Sequence, residues 1–344
     1  MVTLREVAWR AGVSLSTVSR VTRGSGYIAP ATRRKVLQAI EELQYRPNTI
    51  ARHLRYGRTY VVGFVLSDIT NPFFSHAVKG AEQFLRSQEN NNYELVLFNT
   101  NSESEREIKA LEFMLDKHAE AIILASTATS ECIEMVRRVV RDHHIPVISI
   151  DNSLDGLESG IVTEANQLGA YQLTSHLLQH GHRRLGFISG PIRESHVCER
   201  LEGCKKAISD YGLKYEDQLI SFGNWTVEDG FEITAAWLAS EEPPTAILGL
   251  NNFMSMGALS AIIQHGQKVP EQIALASFDD VEFGHLLCPC LTALDYSYQQ
   301  IGEEAIRMAL NSIEADENEK VKEVVRLPVK MMVRESCGCS GSIE

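Results

Sequence analysis

The sequence predicts an α/β fold in which a short all-helical segment precedes two lobes, each a doubly wound parallel sheet. From Tyr60 onward, continuous apolar runs such as 61–66 and 146–150 alternate with amphipathic helical stretches, a pattern typical of buried parallel strands joined by helical crossovers. The same alternation starts again at about residue 167, which predicts two similar halves. A ligand cleft is expected between them, at the carboxyl ends of the strands.

The amino terminus predicts two short helices. Thr3 and Glu6 form a capping-box pattern at the start of the first helix, and a glycine ends it. Ser14 then caps a second helix, in which Val18 and Val21 face inward. Two short helices joined by a glycine-containing turn are typical of a helix-turn-helix, whose second helix fits the DNA major groove, and also of ordinary helical hairpins.

The helical segment continues with a third helix that begins at Pro30. Its predicted inward stripe consists of Val36, Leu37, Ile40 and Leu43. A short polar stretch at 48–56 is expected to become helical only when a partner holds it. The boundary to the body follows at 57–59.

The distribution of charge favours DNA binding over an ordinary hairpin. The chain has 33 Lys/Arg and 45 Asp/Glu, a net charge of −12. Residues 1–58 hold 11 of the basic and 3 of the acidic side chains, a net of +8, so the remainder holds 22 and 42, a net of −20. This asymmetry predicts that the basic segment 1–58 binds the phosphates of a nucleic acid and that the acidic remainder of the chain does not.

Several classes of protein are disfavoured. No apolar segment precedes the first helix and no run is long enough to span a membrane, so we expect a cytoplasmic protein with no membrane partner. The seven cysteines are odd in number and scattered, which favours reduced thiols. Cys288-Pro-Cys290 and Cys337-Gly-Cys339 lack the usual zinc spacing and a nearby histidine pair in the sequence, so no metal and no cofactor are expected. No catalytic residue is predicted, because the sequence holds no phosphate loop, nucleophile elbow or His-Glu-x-x-His motif.

Motifs spread along the chain occur in an order typical of one family. They are Thr3-Leu4-Arg5-Glu6-Val7-Ala8, Ala11-Gly12-Val13-Ser14, Thr17-Val18-Ser19-Arg20, Tyr45-Arg46-Pro47-Asn48, Asn71-Pro72-Phe73-Phe74, the run from Gly181 to Pro191, Arg200-Leu201-Glu202-Gly203, Ser277-Phe278-Asp279-Asp280 and Val333-Arg334-Glu335-Ser336. With these motifs the sequence resembles the lactose-repressor (LacI/GalR) family of bacterial transcription regulators over nearly its whole length. The resemblance implies a homodimer or tetramer that binds double-stranded operator DNA.

The resemblance also implies the domain organisation. Residues 1–58 form the helix-turn-helix domain with a hinge helix at about 48–56, and residues 59–344 form an effector-binding and dimerisation domain with the fold of periplasmic binding proteins. We expect its first lobe to contain about 60–162 and 293–323, and its second lobe about 163–292 and 324–340.

The family's DNA-reading positions carry over to the second helix and the hinge. Leu15, Ser16 and Arg20 align with base readers, and Arg20 can bind guanine through two hydrogen bonds. Other positions are expected to contact phosphates or to cap helices: Thr3, Ser14, Thr17, Ser19 and Asn48. Leu54 aligns with a leucine that the family wedges into the minor groove.

The family's effector positions predict a cleft that binds a sugar or sugar derivative and thereby controls operator affinity. They are Phe73, Phe74, Asp151, His196, Arg200, Trp225, Asn251, Asp279 and Tyr296. Arg200 and Asp279 suit sugar hydroxyls, and Trp225 can stack on a sugar ring. A structural salt bridge between Arg200 and Asp279, and a core role for Trp225, remain as alternatives.

Other functions stay open. A purine or another anionic effector, or a protein corepressor, is compatible with the family, and departures at Ala29, Glu164, His196 and Asn252 leave the effector undefined. A sugar-transport binding protein would share the fold of the body but lacks a helix-turn-helix. An enzyme on a doubly wound sheet would need one of the motifs that are missing.

The wedge assignment predicts that Leu54→Ala weakens specific operator binding far more than nonspecific DNA binding, because only the specific complex unstacks a base step. Gel-shift titrations on operator and scrambled duplexes test this. Equal losses on both duplexes would contradict the wedge role.

Overall fold

The computed structural model describes residues 2–23, 27–45, 58–88, 91–154, 160–315 and 323–339. The contacts divide the chain into one unit at Met1–Thr59 and a second at Tyr60–Glu344. The predicted hinge at 48–56, with Asn48 and Leu54, lies outside the described residues.

Within its described residues, the first unit contains three helices, α1 (Leu4–Ala11), α2 (Leu15–Arg23) and α3 (Pro30–Glu42). One fully buried valine from each helix forms the centre of its core: Val7, Val18 and Val36. The predicted inward position of Leu37 is wrong, since this side chain is 49% exposed and Ala39 is buried instead. Leu37 lies one position off the stripe that Val36, Ala39, Ile40 and Leu43 form at helical spacing.

The second unit alternates strands and helices. In chain order its elements are β1 (Val61–Leu66), α4 (Pro72–Ser87), β2 (Glu94–Asn99), α5 (Ser104–Asp116), β3 (Ala121–Leu124), α6 (Ser130–His143), β4 (Val147–Ile150), β5 (Gly160–Glu164), α7 (Asn166–Gln179), β6 (Leu185–Ser189), α8 (Ser195–Asp210), β7 (Ile220–Phe222), α9 (Val227–Leu238), β8 (Ala246–Gly249), α10 (Asn252–Gln264), β9 (Ala274–Asp279), β10 (Thr292–Asp295), α11 (Tyr298–Glu314), β11 (Val324–Leu327) and β12 (Lys330–Met332).

Two six-stranded sheets form the two lobes. Their strand orders are β11-β5-β4-β3-β1-β2 and β12-β10-β9-β8-β6-β7, so the second half repeats the topology of the first. All pairs are parallel except β10 with β12. The central strands β1, β3, β8 and β9 are almost wholly buried, because helices cover both faces of a parallel sheet.

The predicted lobe boundaries are wrong near the carboxyl terminus. β11 pairs with β5 in the first sheet, although 324–340 was assigned to the second lobe. β10 pairs with β9 in the second sheet, although 293–323 was assigned to the first lobe. The chain therefore crosses between the lobes near 165, at 296–297 and at 328–329.

Helices α4 and α11 pack at very close range on the first sheet. A methyl group on Gly302 would overlap the carbonyl oxygen of Ala77, and one on Gly80 would overlap that of Gln299. Both obstacles are backbone atoms, so a side-chain rotation cannot relieve the clash.

We expect Gly302→Ala to lower the free energy of unfolding by roughly 3 kcal/mol, the upper part of the usual range for overpacking, because the two helices must separate. Denaturant unfolding of the variant measures this. Asn311→Ala, at an exposed position of the same helix, is the matched control and should change stability little. Equal stability of the two variants would show that the helices tolerate the extra methyl group.

Candidate functional site

The predicted DNA-reading side chains occupy the outer face of α2. Leu15 is 42% exposed, and Ser16 and Arg20 are exposed as well. Ser14 accepts a hydrogen bond from the Thr17 backbone N–H at 3.2 Å, so it caps the helix as predicted. Ser19 is partly buried on the same helix.

The start of α1 is fixed by a complete capping box. The Thr3 hydroxyl accepts from the Glu6 N–H, and the Glu6 carboxylate accepts from the Thr3 N–H at 2.6 Å. The hydrogen bond from Thr3 lowers the pKa of Glu6. Thr3 is thus a helix-capping residue, which is one of the two roles expected for it. By contrast, Ala29 gives α3 no side-chain cap, and Pro30 at its first position partly compensates.

A cavity of about 620 Å³ lies between the two sheets of the second unit. All nine side chains predicted for the effector line it: Phe73, Phe74, Asp151, His196, Arg200, Trp225, Asn251, Asp279 and Tyr296. They come from loops at the carboxyl ends of the strands and from the first turns of the following helices. The volume falls within the range of roughly 300 to 1,000 Å³ that small-molecule pockets occupy.

Arg200 on α8 is a buried cation that the protein itself already engages. Its Nε–H donates to Asn166 Oδ1 at 2.6 Å, and Nη1 donates to the Leu250 carbonyl at 2.5 Å. Nη2 donates to Glu164 Oε1 at 2.5 Å. Asp279 Oδ2 lies 4.0 Å from Nη1, so the expected Arg200–Asp279 pair is a long ion pair and Glu164 is the closer partner.

The carboxyl groups around Arg200 share one low-dielectric environment. Burial raises the pKa of Glu164 and of Asp279, with Arg200 acting in the opposite direction. Burial and Glu164 raise the pKa of Asp151 well above its ordinary value, although Arg200, 3.8 Å away, acts to lower it. Burial opposes the charge of Arg200, but Asp279, Glu164 and Asp151 raise its pKa and keep it protonated.

An aromatic group forms another part of the wall. The Trp225 ring stacks on His196 at 5.3 Å between centroids, and its indole N–H donates to Glu194 Oε2 at 2.8 Å. His196 Nε2 lies 3.5 Å from Glu194 Oε2, but burial and Arg200 hold the pKa of His196 well below its ordinary value. The contact therefore joins a neutral imidazole to the carboxyl group and is not an ion pair.

Hydrogen bonds between the lobes surround the cavity. Asn252 donates to Asn71 Oδ1 at 3.3 Å, and Arg193 Nε–H donates to the Thr127 carbonyl at 2.9 Å. The Ser195 N–H donates to Asn152 Oδ1 at 2.8 Å. The loop that holds Thr127 is itself held by a buried carboxylate, because Glu107 accepts from the Ser126 hydroxyl and from the N–H and hydroxyl of Thr127.

Two polar atoms of residues that line the cavity lack a protein hydrogen-bond partner within the described ranges. They are Asp151 Oδ1 and His196 Nδ1, and both are buried. Leaving such atoms unpaired costs about 1 to 3 kcal/mol each. A ligand with several hydrogen-bonding groups would remove this cost.

Three helix amino termini at the cavity are already capped by side chains, whereas α8 has no side-chain cap. Asn71 caps α4, Thr226 caps α9 and Asn251 caps α10, each by accepting from a backbone N–H of the first turn. Asn251 therefore uses its carbonyl oxygen for the helix, and only its amide N–H groups remain for a ligand.

Comparison with known proteins identifies the family of this chain. The family described as "Bacterial regulatory proteins, lacI family" matches residues 3–48, and "Periplasmic binding proteins and sugar binding domain of LacI family" matches residues 59–335. The chain belongs to the LacI family. It is a DNA-binding transcriptional repressor and not an enzyme.

Individual relatives cover the whole length. The HTH-type transcriptional repressor PurR of Pasteurella multocida (strain Pm70) is 30% identical over 339 residues, 98% of each chain. PurR of Vibrio campbellii (strain ATCC BAA-1116) is 30% identical over 93% of this chain and 94% of its own. Among solved structures, the Lac repressor dimer bound to operator and the anti-inducer ONPF matches with a TM-score of 0.84 and 25% identity, covering 98% of this chain and 99% of that one. The CelR–cellobiose complex matches at 0.72 and 27%, covering 98% and 100%.

Sequence reasoning missed two acidic residues of this LacI-family protein, Glu164 beside Arg200 and Glu194 in the wall of the cavity. Glu164 was noted as a departure from the family pattern but not as a site residue, and Glu194 carried no signal beyond its position after a predicted strand. Neither residue lies in a local motif. Among the described residues, no helix combines the length and the hydrophobicity required to cross a bilayer.

Glu194 should make stability depend on pH. Burial raises its pKa from an ordinary value of 4.5 to about 7, although Trp225, Arg193 and Arg200 act against this. The folded state thus holds the proton more tightly than the unfolded state, so Glu194 contributes stability at low pH that is lost as the pH rises through 7. The loss is on the order of 3 kcal/mol.

Denaturant unfolding of the ligand-free protein between about pH 5 and pH 8 tests this dependence. The free energy of unfolding should depend less on pH in Glu194→Gln than in the parent protein. The dependence should persist in Glu202→Gln, a control at an exposed position of α8. An unchanged slope in Glu194→Gln would contradict the assignment.

Proposed function

We propose that this LacI-family repressor is a homodimer whose operator affinity is controlled by a neutral sugar bound in the interlobe cavity. The observation that carries the proposal is the excess of hydrogen-bond acceptors over free cationic donors in the cavity. Asp68, Asp151, Glu194, Glu228 and Asp279 line it, against Arg193 and Arg200. Hydroxyl groups of a sugar donate to such acceptors.

The same chemistry disfavours an anionic effector. Arg200 already uses Nε, Nη1 and Nη2 on protein oxygens, and Arg193 donates its Nε–H to the Thr127 carbonyl, whereas phosphate recognition relies on free Arg or Lys donors. Three of the helix amino termini, which can bind anions, are capped by Asn71, Thr226 and Asn251. A sugar phosphate would face five acidic side chains against these two arginines.

Aromatic rings favour a flat or partly apolar ligand face. Phe73 and Phe74 meet edge to face at 4.8 Å on the first lobe, and Trp225 lies on the second. One of the similar structures is a cellobiose complex, which agrees with a sugar in a cavity of this kind.

A purine is the second candidate, because several relatives of full length are named PurR. Aromatic rings also stack on purine bases. However, an oxidised purine presents carbonyl acceptors that require donors, and the carboxylates of this cavity are acceptors. The neutral His196 and the Asn251 amide are the donors best placed to serve such a base.

DNA binding is proposed to use the exposed face of α2. Arg20 would read guanine in the major groove and Leu15 would contact a thymine methyl group, while Ser16 adds a polar contact. Ser14, Thr17 and Ser19 would position the helix on phosphates.

Thermal unfolding of the full-length protein with neutral mono- and disaccharides, sugar phosphates and purine bases tests the effector class. A ligand that binds only the folded state raises the melting temperature. We expect neutral sugars to do so and sugar phosphates not to. Stabilisation by a purine base alone would overturn the sugar assignment, and no stabilisation by any compound would favour a protein corepressor.

Asp279→Asn should weaken the stabilising sugar at least tenfold, because a charged hydrogen bond is worth about 1.5 to 3 kcal/mol. Calorimetric titration measures the affinity. Asp210→Asn, at an exposed position at the end of α8, is the matched control. Equal affinity in both variants would remove Asp279 from the site.

A further inference from the structure

Two cysteines and two histidines meet at the surface of the second lobe, away from the interlobe cavity. Cys339 Sγ lies 2.9 Å from His180 Nε2 and 3.4 Å from His176 Nε2. Cys337 Sγ lies 3.2 Å from Cys339 Sγ. The donor atoms of His176, His180 and Cys339 all lie within 4.8 Å of one another.

This juxtaposition removes the ground for expecting no metal. That expectation rested on the missing histidine pair beside Cys337-Gly-Cys339. The pair lies 163 and 159 residues before Cys339, with His176 in the last turn of α7 and His180 directly after that helix. The two histidines are four positions apart, so they occupy one face of the helix. The cysteine spacing of one residue is also accommodated, because Gly338 adopts a φ of +88° that brings the two thiols together.

The donor set matches zinc in number and kind. Imidazole nitrogen and thiolate sulfur are the usual ligands of structural zinc, which binds four of them tetrahedrally. With Zn–S near 2.3 Å and Zn–N near 2.0 Å, donor atoms in such a site lie roughly 3.3 to 3.8 Å apart. The three separations that involve Cys339 Sγ are 2.9 to 3.4 Å, slightly shorter than these ligand spacings. His176, His180 and Cys339 form the compact part of the set, and Cys337 joins it through its contact with Cys339.

The surroundings hold part of the cluster rigidly and leave the rest accessible. Cys337 is fully buried and His176 is 8% exposed, while His180 is exposed and Cys339 is partly exposed. The preceding Ser336 fixes the tail, since its hydroxyl donates to the Leu275 carbonyl at 2.6 Å and accepts from the Thr292 N–H at 2.8 Å. An ion can therefore enter from solvent and meet preplaced ligands.

We propose that His176, His180, Cys337 and Cys339 form a zinc site that fastens the carboxyl-terminal segment to α7. Helix α7 packs on α8, which carries His196 and Arg200, and its first residue Asn166 accepts a hydrogen bond from Arg200. The ion would stabilise the helix pair that supports the second-lobe wall of the cavity. This proposal is independent of the effector.

The test uses the full-length protein, reduced, stripped with a chelator and titrated with Zn²⁺ alone. We expect one tightly bound equivalent, a higher melting temperature with Zn²⁺, and, with Co²⁺ as a probe, the visible bands of a tetrahedral site together with sulfur-to-cobalt charge transfer. His180→Ala and Cys339→Ser should each weaken Zn²⁺ at least about tenfold and change the cobalt spectrum.

The controls are His143→Ala and Cys288→Ser, at exposed positions outside the cluster, which should bind Zn²⁺ like the parent protein. Operator binding by His180→Ala verifies that this variant is folded, since its side chain is exposed. Three results would overturn the proposal: no stoichiometric Zn²⁺, the same Zn²⁺ affinity in the cluster variants as in the controls, or a Cys337–Cys339 disulfide in protein that retains no metal.

Discussion

The effector-binding unit depends on one buried cation. Arg200 is 3% exposed, and its guanidinium meets carboxyl groups from both lobes: Glu164 and Asp151 at strand ends of the first sheet, and Asp279 at the end of β9. A buried charge that loses its partner costs about 3 to 5 kcal/mol, so these groups must remain together. The charge balance therefore constrains how far the lobes can move apart, and it couples the two sheets at the same edge where the ligand cavity lies.

Two of the segments in which the chain crosses between the lobes lie close to Arg200. Glu164 ends β5 directly before the first crossing, and Tyr296 stands in the second, where its hydroxyl donates to Asp279 at 2.9 Å. A ligand that contacts Asp279 therefore contacts a group that is bonded to an interlobe segment. The hydrogen bond from Asn252 to Asn71 also holds the two lobes together at the edge of the cavity. Ligand occupancy and lobe position are thus linked through a few polar contacts rather than through the apolar cores.

The sequence predicted those parts of the molecule that carry a local pattern. Continuous apolar runs marked β1 and β4, and the capping box marked α1. Strands β5, β7, β10 and β12 carry no comparable signal, because three to five residues of mixed polarity show no period that separates a strand from a loop. The nine cleft positions came from family resemblance, whereas Glu164 and Glu194 were missed, since their chemistry arises only when the fold places them beside Arg200 and Trp225. The Cys–His cluster was missed for the same reason, because only the fold brings Cys339 close to His180.

Family membership and ligand choice have different physical origins. The helix-turn-helix of each family member binds a DNA duplex of the same overall geometry. Overall similarity is therefore informative about DNA binding. The effector meets only the few side chains of the cavity, and a single exchange there changes the balance of donors and acceptors. In this chain Glu194 adds a hydrogen-bond acceptor beside Trp225, and Glu164 already accepts a hydrogen bond from Arg200. The charge of Arg200 is thus balanced by the protein itself, and a ligand that enters the cavity meets the carboxyl group of Glu194 beside Trp225. The charges and hydrogen-bonding groups of the cavity therefore decide the effector class, which overall similarity to relatives does not determine.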